Sequence, residues 1–451
     1  MKTQEFNFDG IVGPTHNYAG LSYGNVASST HQSKTSHPRA AALQGLSKMK
    51  FVRDLGIGQC VLPPLPRPNI KLLRDFGFAG SSDIEIIQSA HRQFPTVLAA
   101  CYSASNMWTA NASTVSPGMD CMDGRLHLTP ANLSSKLHRS IEAAETTSNL
   151  RSIFSDPKHF VVHDPLPTAA AMSDEGAANH LRLCPEHGTE GLEIFVWGRS
   201  EFAKNVASSP RKFPARQTLE SFQAIALRHG LSESSAVFLQ QHPDAIDGGV
   251  FHNDVISVAN ENVVLAHELA FADREKTVSM LKQKYVERFG DPLQYVEFST
   301  KELSLEETVR SYLFNSQLVT RPDGGMTLIC PLETSEIESA KRCTDRLLSE
   351  SNRVDSIEFL DLRQSMNNGG GPACLRLRIV LTAEQQSAMH SGIVLTDELY
   401  EKLVAHVEAH YRADLHPNDL LDPKLLDEAR TAHEAMTHLL GLSPTSLNVN
   451  Q

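Results

Sequence analysis

The chain reads as an α/β protein of about five mixed modules in one body. Three observations predict this class. Helix-then-strand units recur roughly every 70 to 90 residues, short hairpins with Asp, Asn and Gly turns fall between them, and no low-complexity block divides the chain. The letters themselves show no clean repeat.

In order, residues 6–34 run from a short strand into a long stretch rich in Gly, Ser, Asn, His and Tyr. Loops of that length without internal structure are functional or disordered, and the Tyr and His content favours one that covers a ligand. A helix is expected over residues 38–55, with Ser36 as N-cap, Pro38 in the first turn and Gly56 as its stop. Residues 59–62 then read as a strand. Asp123 and Gly124 mark a hairpin turn. Residues 218–229 are helical and closed by Gly230, and residues 236–240 form a strand. Another hairpin turns at Asn260, Glu261 and Asn262; on its first strand His252 and Asp254 stand two apart and so share a face, with Asn253 on the other. Ser304 and Glu307 make a capping box ahead of residues 309–314. Residues 318–320 and 326–330 form a hairpin about Pro322, Asp323, Gly324 and Gly325. Ser335 and Glu338 cap the next helix, and residues 357–362 are the next strand. Beyond Leu381 the pattern turns helical, and Pro417 and Pro423 break residues 405–440 into outer helices.

Composition excludes several classes. The 451 residues suffice for a large core, and 41% hydrophobic with 21% charged is ordinary for a globular protein. A formal charge of -12 without a Lys/Arg run argues against nucleic-acid binding, so an anionic ligand must be met by local positive charge. Residues 1–10 lack the apolar core of a signal peptide, and no run approaches the roughly 20 apolar residues that span a bilayer. A cytoplasmic protein is expected. The seven cysteines, an odd number without a CxxC pair, speak against disulfides and structural zinc and for free thiols.

Chemistry concentrates in NNGGGPACLRLRIVL, residues 367–381. Gly369, Gly370 and Gly371 permit close backbone approach, Pro372 stiffens the exit, and Cys374 stands at the mouth of a strand in which Leu375, Leu377 and Ile379 alternate with Arg376 and Arg378. Such a cysteine is either a buried core thiol or a group aimed into a cleft. His252 with Asp254 is either an acid/base beside a substrate-binding anion or a polar surface, and Asp244 and Asp247 nearby raise a metal site as a third reading. Glu175, in MSDEGAANH, is either a solvated turn carboxylate or part of the site.

Several contiguous stretches bear on these readings. FDGIVGPTHNYAGLSYGN, SASNMWTANAST, LHRS, DEGAANH, PARQT, FHNDV, YLFNSQL and NGGGPACLRLR, in this order over nearly the full length, resemble the N-succinylarginine dihydrolases of the amidinotransferase or pentein superfamily. The resemblance implies a five-module α/β propeller with pseudo-fivefold symmetry, residues 1–451 being one catalytic domain and 382–451 ending in peripheral helices. It implies Cys374 as nucleophile with His252 and Glu175 as partners. The substrate pocket it implies takes in Ala19, Gly20, Leu21, Ser22, Tyr23, Gly24, Asn25, Val26, Ala27 and Ser28, together with Asn111, His138, Arg139, Arg216, Asp254 and Asn368. Asn111 stands where related deiminases carry an aspartate. The implied reaction hydrolyses N2-succinylarginine, in arginine catabolism by the succinyltransferase pathway, through a covalent cysteine adduct. It needs no metal or cofactor and no nucleic-acid or membrane partner, in a homodimer. A metal-dependent ureohydrolase using Asp244, Asp247, His252 and Asp254, and a non-catalytic binding protein for an arginine derivative, stand as alternatives.

Overall fold

A computed structural model describes residues 3–203 and 209–442. The chain opens with β1 (Thr3–Gly10) and, after the helix Pro38–Asp54, β2 (Gly58–Leu62). Four strand triplets follow: β3 (Ser113–Ser116), β4 (Leu126–Pro130) and β5 (Phe160–Val162); β6 (His180–Leu183), β7 (Leu192–Trp197) and β8 (Ala236–Gln240). The last two are β9 (Ser257–Asn260), β10 (Val263–His267) and β11 (Gln294–Phe298), then β12 (Gln317–Thr320), β13 (Met326–Pro331) and β14 (Val354–Leu360). β15 (Arg376–Thr382) returns to pair with β1.

These strands form five three-stranded sheets among the described residues, all with one topology: an inner strand antiparallel to a middle one, which is parallel to the third. The inner strands are β3, β6, β9, β12 and β15. The fifth module takes its inner strand from the C-terminal end and its other two from the N-terminal end, so β1 pairing with β15 closes the ring. Neighbouring inner strands touch, β15 with β3, β6 with β9 and β9 with β12, while Arg378 of β15 donates to the Leu318 carbonyl of β12. The five-module α/β propeller expected from the sequence is therefore present.

An inner strand is buried on both faces, which explains β15. Leu377 and Ile379 enter the main apolar core with Leu46 and Met49 of the helix Pro38–Asp54. Arg376 and Arg378, which alternation alone would place in solvent, turn toward the ring axis and pair with the buried Glu5. Outside this module the helices Asp397–His410 and Pro423–Leu439 add Leu403, Val407 and Met436 to the same core.

Helix caps form locally, although the Thr218 hydroxyl also donates to the Ser173 carbonyl. Thr218 caps the helix Leu219–Arg228, and Ser304 with Glu307 forms the capping box of Leu305–Ser311. That helix ends earlier than expected because Tyr312 is left-handed, with φ 51°. Ser36 is not the cap of Pro38–Asp54: its hydroxyl donates to the His16 and Leu415 carbonyls, and His37 takes the cap position without a side-chain bond. Ser335 likewise caps nothing, since it lies inside the short helix Leu332–Glu336 and donates to the Leu332 carbonyl. Among the described residues no helix is long and apolar enough to cross a membrane.

Candidate active site

The site assembles at the ends of the inner strands where each begins. Asn111, Asn315 and Cys374 each stand two residues before β3, β12 and β15, and Glu175 and His252 each stand five before β6 and β9. A short turn precedes each strand and aims its side chains inward. His252 and Asp254 are thus not on a strand face, as period-2 spacing suggested. His252 is the N-cap of a single tight turn, Asn253–Val255, and β9 starts only at Ser257.

That turn serves two partners. His252 Nε2 meets Glu175 Oε2 at 2.9 Å, and Asp254 Oδ2 lies 3.3 Å from Cys374 Sγ, close enough for the thiol to donate to it. Glu175 is held tightly: its Oε2 also accepts from Arg139 Nη1 at 3.1 Å, Ser135 donates to Oε1, and its N–H donates to Gln217 Oε1 at 2.7 Å. Asn111 Nδ2 donates to the Glu175 carbonyl at 2.6 Å. Gly176, at φ 71°, brings this turn against Ala110 and Asn111, where a Cβ would sit 3.1 Å from their backbone.

Burial sets the protonation states. The Cys374 thiol is pushed well above its ordinary value by burial and by the Asp254 charge. Burial raises Asp254 to about 7 against hydrogen bonds from Cys374 and Asn315. Burial lowers His252 to about 4, with Glu175 opposing. For Glu175 burial acts upward, but the His252 hydrogen bond and the Arg139 charge outweigh it and hold the carboxyl well below the usual range. Cysteine and histidine therefore rest neutral, beside an ionised glutamate.

A cationic wall lies beside this centre. Arg216 is buried, its guanidinium sits 4.9 Å over the Phe251 ring next to His252, and its Nη2 has no hydrogen-bond partner among the described residues. It lies in the segment ahead of the Thr218 cap rather than inside the helix. Arg139 Nε and Nη2 are similarly unpartnered. His138 is lowered to about 3 by burial and by the charges of Arg139 and Arg216, and its Nε2 reaches Ser22 Oγ at 3.4 Å.

The loop of residues 19–28 contributes unevenly. Asn25 caps the short helix Val26–Thr30 through Oδ1 and donates from Nδ2 to the Gly369 carbonyl at 3.4 Å, tying loop to glycine run. Ser22 and Ser28 are buried with Asn25 and Gly24. Ala19, Gly20, Leu21 and Ala27 are half-buried; Tyr23 and Val26 are exposed, Tyr23 meeting Phe213 edge-on at 5.2 Å. Gly369 takes φ 97°, and Asn368 beside it is half-buried.

Asp244 and Asp247 are not brought to the centre. Asp247 instead accepts the N–H groups of Arg211, Lys212 and Phe213. No cluster of three metal-ligating side chains is placed to hold an ion among the described residues. Sequence reasoning missed Asn315, whose Nδ2 lies 3.2 Å from Cys374 Sγ, and also Ser135 and Gln217. Asn315 carried a usable signal: it precedes an apolar strand as Asn111 and Cys374 do.

The family profile described as Succinylarginine dihydrolase matches residues 2–446. Among curated relatives, the N-succinylarginine dihydrolases of Burkholderia orbicola (strain MC0-3) and Paraburkholderia xenovorans (strain LB400) are each 50% identical, over 440 and 442 residues covering 98% of both chains. Among solved structures, the product-bound N-terminal domain of ArgZ, a cyanobacterial arginine dihydrolase, superposes with a TM-score of 0.51 at 14% identity, over 83% of this chain and 97% of that one. Apo ArgZ gives 0.52 at 15% identity, over 87% of this chain and 42% of that one. These two support the fold, whereas the profile and the 50% identity reach the family: the chain belongs to the succinylarginine dihydrolases.

Proposed function

We propose that this protein hydrolyses N2-succinyl-L-arginine with two waters to N2-succinyl-L-ornithine, two ammonia and carbon dioxide, as a step of arginine catabolism. One observation carries the reading: a buried thiol faces a carboxylate at 3.3 Å, beside a wall holding an arginine with an unpartnered nitrogen. The first pair suits a guanidinium, and the wall suits a carboxylate of the same substrate. The full-length relatives named for this activity support the choice of substrate.

The chemistry follows from the protonation states. The Asp254 anion draws in the substrate cation by charge-assisted hydrogen bonds, and that positive charge offsets the repulsion that keeps Cys374 protonated. The thiol proton passes to His252, whose Nδ1 is free of partners among the described residues while Nε2 is engaged by Glu175. Sulfur bonds to the guanidino carbon, and the imidazolium, stabilised by Glu175, gives its proton to the departing nitrogen, which leaves as ammonia. Neutral His252 then takes a proton from water, which attacks the adduct and frees the sulfur with a ureido group formed. A second round on that group releases the second ammonia and a carbamate, which loses carbon dioxide. The chain acts in this reading as one catalytic unit over residues 1–451, a cytoplasmic homodimer; seven unpaired buried cysteines support the reducing compartment.

The test is the stoichiometry with purified protein. Two ammonia per N-succinylornithine are expected. One ammonia with accumulating N-succinylcitrulline would reduce the reading to a deiminase, and no turnover would return it to a binding protein.

A further inference from the structure

The carboxamide of Asn315 is held between two backbone groups of opposite character. Its Oδ1 accepts the Cys374 N–H at 3.4 Å, and its Nδ2 donates to the Asp254 carbonyl at 3.1 Å. An N–H only donates and a carbonyl only accepts, so the amide is fixed in one sense and presents a donor to Cys374 Sγ at 3.2 Å. The Asn315 carbonyl also accepts the Ala373 N–H at 2.9 Å, so the residue is stitched to the cysteine segment from both ends. Gly371 leaves the room for it: a Cβ there would lie 2.6 Å from Asn315 Oδ1.

Two neighbours therefore act on the sulfur in opposite directions. Asp254 accepts the thiol proton and favours the thiol. Asn315 has only a donor to offer and favours the thiolate, because a hydrogen bond to an ionised acceptor is about twice as strong as one to a neutral group. Among the influences on the Cys374 thiol, this hydrogen bond is the leading one that acts against burial and the Asp254 charge.

We propose that Asn315 is a further catalytic residue, whose Nδ2–H holds the Cys374 sulfur as a thiolate once the substrate guanidinium engages Asp254. The inference rests on the reading of Cys374 as the nucleophile. The S–H bond breaks, its electron pair stays on sulfur beside the Asn315 donor, and the proton goes to His252 before the carbon–sulfur bond forms.

Two variants test it. Asn315→Asp keeps the Oδ1 that accepts the Cys374 N–H but replaces the donor by a second negative group. Gly371→Ala keeps Asn315 and displaces its amide. The readout is the pH dependence of Cys374 alkylation by iodoacetamide, scored by peptide mass against a Cys374→Ser background, together with kcat and KM on N-succinylarginine. Loss of one charge-assisted bond predicts a kcat lower by about ten- to a hundredfold. Equivalently, the alkylation midpoint should rise by about one unit or more, with KM little changed. Folded variants with an unmoved alkylation profile, or a loss confined to KM, would overturn the proposal. Failure of both variants to fold would also overturn it, by assigning Asn315 to the framework. Alkylation needs no turnover, so a wrong substrate assignment leaves this readout intact and is told apart from a wrong role for Asn315.

Discussion

Arg216→Met should weaken catalysis while leaving the protein as stable or more so. The side chain is only 5% exposed, and burial lowers it well below the ordinary arginine value, to about 10, with the Arg139 charge adding to the shift and Glu175 opposing it. A depression of that size disfavours the folded cation by on the order of 3 kcal/mol. Arginine is protonated at pH 7 in folded and unfolded states alike, so this penalty is fully present there and vanishes with a neutral side chain. Met loses the contact with Phe251, worth about 1 kcal/mol, and keeps most of the packing. Catalysis should move the other way. A substrate carboxylate left buried without its partner costs roughly 2 to 5 kcal/mol, which is about 30-fold or more in kcat/KM. Thermal melts combined with steady-state kinetics on N-succinylarginine and free arginine decide the matter. A loss on the succinylated substrate alone assigns Arg216 to the succinyl group, and equal losses assign it to the α-carboxylate. Rates within about twofold of wild type on both, as for a solvated charge, would refute the reasoning.

Other outcomes follow from the same geometry. Cys374→Ser should abolish turnover yet bind N-succinylarginine by calorimetry within a few-fold of wild type; a tenth of the normal rate would remove the sulfur from the mechanism. His252→Ala should lose turnover without accumulating a covalent adduct, because the imidazole that takes the thiol proton and protonates the departing ammonia is gone, and an adduct building up in the intact mass at the wild-type turnover rate would contradict that role. Asp254 must be ionised to hold the guanidinium and burial raises it to about 7, so kcat/KM should fall as pH drops through that value. In Asp254→Asn this limb should disappear along with most activity, and a flat wild-type profile between about pH 6 and 8 would count against the assignment.

Modular character was legible in the sequence because caps and hairpin turns are local. The Ser304–Glu307 box and the turn at Asn260 each act within four residues and appear as read, while the helix expected from residue 218 begins at Leu219 with Thr218 as its cap. Ser36 and Ser335 failed because a serine hydroxyl takes whichever acceptor the fold supplies, here the carbonyls of His16, Leu415 and Leu332. Alternation in β15 located the strand but not what its polar face meets: a ring interior, unlike a sheet in solvent, can hold Arg376 and Arg378 against Glu5. At the site, the Gly-rich approach singled out Cys374, and contiguous stretches carried His252, Glu175 and Asp254. The spatial logic was hidden. A period-2 argument placed His252 and Asp254 on one strand face, while the tight turn Asn253–Val255 sends one to Glu175 and the other to Cys374. Asn315 stayed unread because its significance lies in contacts with residues about 60 positions away in either direction, which no window along the chain reports.

The covalent dihydrolase reaction is tested most directly by following the guanidino carbon. N-succinylarginine labelled at that carbon, mixed with protein and quenched on the turnover timescale, should place label transiently on the peptide containing Cys374 and finally in carbon dioxide. Label that never reaches the protein, or that ends in urea, would contradict the account.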